Sequence, residues 1–186
     1  MELSRFSLTC DTMFPLSLDH LNNLDCIFLM ETKIDESSMR EITTSLGFPL
    51  TILVPTLGLF SGVCLCWKPG VDIEVTSQNK NLINVLIFSN PPHSPWMLST
   101  IYGPLIASLC NSFWESLHKT DQSFCGPRLC LGDFNALLSQ SDKREVRPFA
   151  FSSTNSFCNL ISDHEHPWTR CWHMPHATCR LVVPPR

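Results

Sequence analysis

Three largely apolar runs in this chain each end in a group able to handle a proton or a cation. Cys26-Ile27-Phe28-Leu29-Met30 leads into Glu31-Thr32-Lys33, Trp96–Ile101 leads into Tyr102-Gly103-Pro104, and Leu129-Cys130-Leu131 leads into Gly132-Asp133-Phe134-Asn135. Short apolar runs of this kind read as strands buried on both faces. In extended geometry, residues two apart face the same side. Asp133 and Asn135 then converge on one point, while Phe134 points the other way and anchors the turn. A carboxylate beside a carboxamide can handle a proton and orient an oxyanion or a water. Asp and Asn also favour ordinary turns, so Gly132–Asn135 needs partners before it reads as a site. Glu31 supplies the hard oxygen donor that Mg2+ prefers. Tyr102 supplies a phenol to hold an oxyanion. Gathered on one edge of a layered sheet, these groups describe a metal-assisted phosphodiester site.

The rest of the chain must place those tips together. Its 186 residues, 44% hydrophobic and 16% charged, suit one globular domain with a real core. A net charge of −4 argues against affinity for nucleic acid through a broad basic surface, and leaves room for an enzyme that meets phosphate through a metal ion. There are ten cysteines. Met1–Cys10 lacks a basic start followed by an apolar block, so a secretory signal is not evident. Cys26, Cys64, Cys66 and Cys130 lie inside apolar runs and read as small buried hydrophobes in a reducing, intracellular setting. Phe48–Trp67 carries no charge, but Pro49, Pro55, Gly58, Ser61 and Gly62 break it into two short strands rather than a membrane span. No obligate protein partner is evident.

Leu16, Leu21 and Leu24 suggest a weak helix over 15–23. Asp35 caps a helix running to Leu46, with Met39, Ile42 and Leu46 on one face and Gly47 as its stop. Strands follow near 50–54 and 62–67, then a hairpin over 71–88 about a polar turn at 79–81. Residues 90–95 read as a Pro-rich loop. A helix over 108–119 has Leu109, Phe113, Trp114 and Leu117 on its apolar face. Residues 137–147 read as a loop and 153–161 as a short helix. Trp67, Trp96, Trp114 and Phe28 read as core. From Glu165 onward the sequence has neither period and reads as a tail outside the fold.

Leu24–Lys33, Gly58–Lys68, Ile101–Pro104 and Leu131–Asn135, in that order, resemble the endonuclease/exonuclease/phosphatase superfamily. Their details are most similar to the endonuclease domain of plant non-LTR (LINE-type) retrotransposons, and Ser139–Pro148 resembles the segment that follows there. The resemblance implies an α+β fold, a partial DNase I-like layered β-sandwich flanked by helices, and Mg2+-dependent cleavage of DNA. By motif, Glu31 would be the metal ligand and Tyr102 a phosphate-side donor. Asp133 would activate water or protonate the leaving group, and Asn135 would orient the phosphate. Lys143, Arg144 and Arg147 become candidates for phosphate contact.

Departures from the family set further expectations. Residues 1–24 hold no W-N-x-x-G motif. Ser162-Asp163-His164 follows G-D-F-N by only about thirty residues, too few for the two strands that precede the family's closing Ser-Asp-His. The expected organisation is a divergent segment over 1–24, a partial domain over 25–164, and an unrelated, disordered tail over 165–186. The expected function is that of a truncated, retroelement-derived endonuclease, impaired or inactive. Rival readings are a phosphodiesterase or phosphatase with a non-DNA substrate, a non-catalytic binding remnant, and a zinc site at Cys171, His173, His176 and Cys179.

Overall fold

A computed structural model describes residues 6–9, 24–32, 34–54, 62–89, 92–122, 124–135 and 169–173. The first sheet contains β1 (Phe6–Thr9), β2 (Cys26–Thr32), β3 (Leu50–Val54) and β4 (Gly62–Trp67), in the order β1-β2-β4-β3. The second contains β5 (Ile73–Asn79), β6 (Leu82–Ser89), β7 (Pro92–Tyr102), β8 (Arg128–Asp133) and β9 (Thr169–His173), in sequence order. Helix α1 spans Glu36–Ser45 and α2 spans Ala107–Gln122.

Side-chain alternation sorts these elements into four layers. Phe28, Met30, Val63 and Leu65 of the first sheet meet Ile83, Val85, Ile87, Leu98, Leu129 and Leu131 of the second in one core between the sheets. The alternate residues face outward and are covered by helices. Ile27, Cys64 and Cys66 pack with Met39 and Phe48 at α1. Leu82, Ile101 and Cys130 pack with Cys110, Trp114 and Leu117 of α2. Truncating a fully buried residue such as Phe28 or Leu98 to Ala costs roughly 2–5 kcal/mol. This is the α+β layered sandwich flanked by helices that the motifs implied.

Local signals explain α1 closely. Asp35 is its N-cap: its carboxylate accepts from the Ser38 N–H at 3.0 Å and the Ser38 hydroxyl at 2.7 Å, and from the Ser37 hydroxyl. These bonds, the Ser37 hydroxyl foremost, hold its acidity well below the usual Asp range. Gly47, at φ +88°, ends the helix. The buried thiols read as expected: Cys26, Cys64, Cys66 and Cys130 are buried and outside any disulfide, and burial chiefly pushes the Cys26 thiol up.

The structure differs from the sequence reading in four places. The Pro-rich stretch is mostly strand, since β7 begins at Pro92. β8 joins β7 only from Met97 onward, so the earlier residues have an open side where a missing N–H costs nothing. The buried face of α2 is Cys110, Trp114 and Leu117, with Leu109 39% exposed; its spacing is i, i+4, i+7 from Cys110. Phe6–Thr9 forms β1, parallel to β2. Thr169–His173, within the stretch without strand period, forms β9, parallel to β8. The expected helices at 15–23 and 153–161, the loop at 137–147 and Ser162–His164 lie outside the described residues.

Candidate active site

Strand register brings the three tips together. β7 and β8 run parallel with Tyr102 opposite Asp133, so both residues sit at the same sheet end and on the same face. That face is the inner one: Tyr102, only 8% exposed, belongs to the core between the sheets. Its O–H crosses to the first sheet and donates to Glu31 Oε1 at 3.0 Å. The bond joins residues distant in sequence at the tips of β2 and β7.

Glu31 occupies an irregular backbone position. The β2–β4 register slips between Met30 and Thr32, leaving Glu31 as the extra residue of a bulge at φ 56°. A non-glycine residue in this left-handed region is strained by about 1–2 kcal/mol. Opposite it, Gly62 is closely packed: an added Cβ would lie 2.7 Å from Thr32 Oγ1 and 3.2 Å from the Val54 carbonyl, so both neighbours would have to give way. Thr32 Oγ1 is buried without a hydrogen-bond partner among the described residues.

The second tip is cross-braced. The Gly103 N–H donates to the Asp133 carbonyl at 2.7 Å. The Asn135 N–H donates to Asp133 Oδ1 at 2.9 Å, and Asn135 Nδ2 donates to the Gly103 carbonyl at 2.9 Å. Close approach makes this possible. A Cβ at Gly103 would overlap the Phe134 carbonyl, and one at Gly132, where φ is +148°, would overlap the Ile101 carbonyl. Phe134 points away from the site, as expected, and stacks on Trp114 of α2 with ring centroids 6.1 Å apart. Asn135 does not continue the strand. Its φ of 47° turns it so that its carboxamide braces the Tyr102-Gly103-Pro104 segment.

These donors suit a hard cation. A carboxylate offers about four lone-pair sites, and Tyr102 uses one of those on Glu31. Mg2+ binds through one or two carboxylates plus water and substrate phosphate, so Glu31 fits it as an anchoring ligand. Among the described residues, no three His, Cys, Asp or Glu side chains converge as a closed metal site. Lys143, Arg144, Arg147, His176 and Cys179 lie outside the described residues, and Cys171 and His173 are placed only as backbone of β9. No helix among the described residues is long and apolar enough to cross a membrane. Sequence reading gives Asn81 only a place in a turn, Gly62 only a chain break and Gly103 only a motif position, because their importance lies in contacts made by the folded chain. The doubled Asn of Asn79-Lys80-Asn81 was the only local signal for the first of them.

The same fold occurs in solved nucleases. An AP endonuclease from Archaeoglobus fulgidus superposes with a TM-score of 0.59 at 14% identity, over 86% of this chain and 70% of that one. The AP endonuclease LMAP from Leishmania major gives 0.57 at 15% identity, over 90% and 71%. The endonuclease domain of TRAS1, a telomere-specific non-LTR retrotransposon, gives 0.56 at 11% identity, over 86% and 70%. These neighbours belong to the superfamily that the four motifs resemble. At such identities the likeness establishes the fold. No protein-family model and no curated protein matches the sequence.

Proposed function

We propose that this chain is a Mg2+-dependent phosphodiester hydrolase that nicks DNA, derived from a plant LINE-type retrotransposon endonuclease and slow in turnover. The observation that carries the reading is the cross-sheet bond from Tyr102 to Glu31, with Asp133 as the strand neighbour of Tyr102. Two neighbours of the same fold add support: the TRAS1 endonuclease domain and a Neisseria 3′ phosphatase solved with a product DNA hairpin.

In this reading Glu31 anchors the cation, and the bound Mg2+ supplies positive charge against the phosphate oxygens. Tyr102 orients the Glu31 carboxylate and presents its phenol to the phosphate side. Asp133 takes a proton from the attacking water or gives one to the leaving oxygen. Asn135 holds the Gly103 carbonyl with one amide hydrogen and keeps the second for a phosphate oxygen. Slow turnover is expected because Glu31 is the only carboxylate within strands β1–β4, so a cation there has a single anchor from the first sheet.

The test is nicking of supercoiled plasmid by purified protein with Mg2+ or EDTA, alongside Glu31→Gln and Asp133→Asn. Slow nicking that needs Mg2+ and both carboxylates is expected. Equal nicking by Glu31→Gln would falsify the assignment. Hydrolysis of phosphoinositides in place of plasmid or abasic DNA would move the substrate away from nucleic acid.

A further inference from the structure

We infer that Asn81 is a positioning residue of this site, fixing the last peptide of β7 so that the Tyr102 phenol meets Glu31. The inference rests on the endonuclease reading for its catalytic consequence, but not for its geometry. The β6–β7 ladder ends with Leu82 opposite Ile101, leaving the Tyr102 peptide one step beyond it. Asn81 holds Tyr102 through both of the peptides that flank the Tyr102 Cα. Its carbonyl accepts from the Tyr102 N–H at 2.8 Å, and its Nδ2 donates to the Tyr102 carbonyl at 2.6 Å.

Turn chemistry alone does not account for these bonds. In Asn79-Lys80-Asn81 the turn-stabilising role falls to Asn79, whose Oδ1 accepts from the Asn81 N–H at 2.8 Å. The Asn81 carboxamide is left for the sheet edge, where it satisfies a carbonyl on a largely buried residue. Asp at this position would match its shape and offer no donor when ionised.

The lever is long. A tilt of roughly 10° at the Tyr102 Cα swings the phenol oxygen by about 1 Å, enough to break a hydrogen bond held at 3.0 Å. Gly103 restrains the second of these peptides from the other side through its bond to the Asp133 carbonyl. The β5–β6 turn is therefore part of the frame that aims Tyr102.

Tyr102 is the only tyrosine in the chain, so a ring-carbon label gives a single NMR signal that reports its environment without turnover. Asn81→Asp is compared with wild type, Glu31→Ala and Tyr102→Phe, with thermal unfolding confirming that each is folded. Asn81→Ala, which drops the donor without adding charge, carries the same expectation should the Asp variant fail to fold. The expected result is a Tyr102 signal displaced toward its position in Glu31→Ala. In addition, kcat for nicking falls about tenfold at unchanged KM, with no further fall when the change is made in Tyr102→Phe. An unmoved signal, or an undiminished tenfold loss in the Tyr102→Phe background, overturns the inference. If wild type cleaves no DNA but the signal moves as described, the positioning role stands and the endonuclease reading falls.

Discussion

At the tip of the first sheet, Glu31 sits on a bulge at positive φ and reaches the second sheet through one hydrogen bond. At the tip of the second sheet, Tyr102, Gly103, Asp133 and Asn135 are tied to one another and to Asn81 by short bonds from two strands and a turn. One side is a strained charge, the other a braced frame. On the proposed reading the contrast is a division of labour: the second sheet frames the site, and the first delivers a carboxylate held by the Tyr102 hydroxyl. Both sides hold a non-glycine residue at positive φ, but at Asn135 the turn is matched by a side-chain bond to the neighbouring strand's Gly103 carbonyl, whereas at Glu31 it accompanies a bulge that aims a carboxylate across the sheets.

Substitutions can break this contrast at either sheet. The largest effect is expected at Gly132→Ala, where the new Cβ meets the backbone of the neighbouring strand. A loss on the order of 4 kcal/mol in urea unfolding is expected. Gly62→Ala in the first sheet is expected to cost only about 1 kcal/mol, because the Thr32 hydroxyl it meets can rotate away. Activity should follow the opposite order. Glu31→Ala is expected to lower the nicking rate by about 100-fold or more, and Tyr102→Phe by about tenfold, in plasmid assays.

A smaller effect sharpens the point about strain. Glu31→Gly relieves a non-glycine residue at positive φ but also takes the acceptor from the Tyr102 hydroxyl, so stability is expected to change by less than about 1 kcal/mol while nicking is abolished. Asn135→Gly, also at positive φ, should instead destabilise, because the bond to the Gly103 carbonyl is lost. The smallest expected effect is at Asp35, far from both tips in its contacts. Its folded pKa is depressed, so the carboxylate stabilises α1 above the ordinary Asp value of about 3.9. That contribution drains away as pH falls below this value toward the folded pKa. The Tm gap between wild type and Asp35→Asn should therefore narrow in acid.

Features set by neighbours in sequence were legible from the chain. The Asp35 cap, the Gly47 stop, β3, β4 and the β5–β6 hairpin all follow from turn chemistry and side-chain alternation. The inward anchor Phe134 followed from the same alternation. Features set by distant partners were not. Asn135 leaves the strand because the Gly103 carbonyl waits for its amide from another strand. Pro92 fits in β7 because β8 starts later along it. β9 exists by pairing with β8 rather than by a pattern of its own. Asn81 looked like an ordinary turn residue because its partner, the Tyr102 carbonyl, lies across the end of the sheet.

The pairing scheme also implies an order of assembly. β5, β6 and β7 form an antiparallel meander with two residues between successive strands, whereas β1–β2, β7–β8 and β8–β9 are parallel pairs that require longer excursions of chain. Pairings between sequence neighbours close small loops and form first. Asn81 and Tyr102 both belong to the meander, so the clasp on Tyr102 can be in place before either carboxylate arrives. Pulse-labelled hydrogen exchange should then protect the amides of β6 and β7 ahead of those of β1 and β9; the reverse sequence would exclude this route. Unfolding from the outer parallel strands would remove Glu31 and Asp133 while leaving the phenol's mount standing.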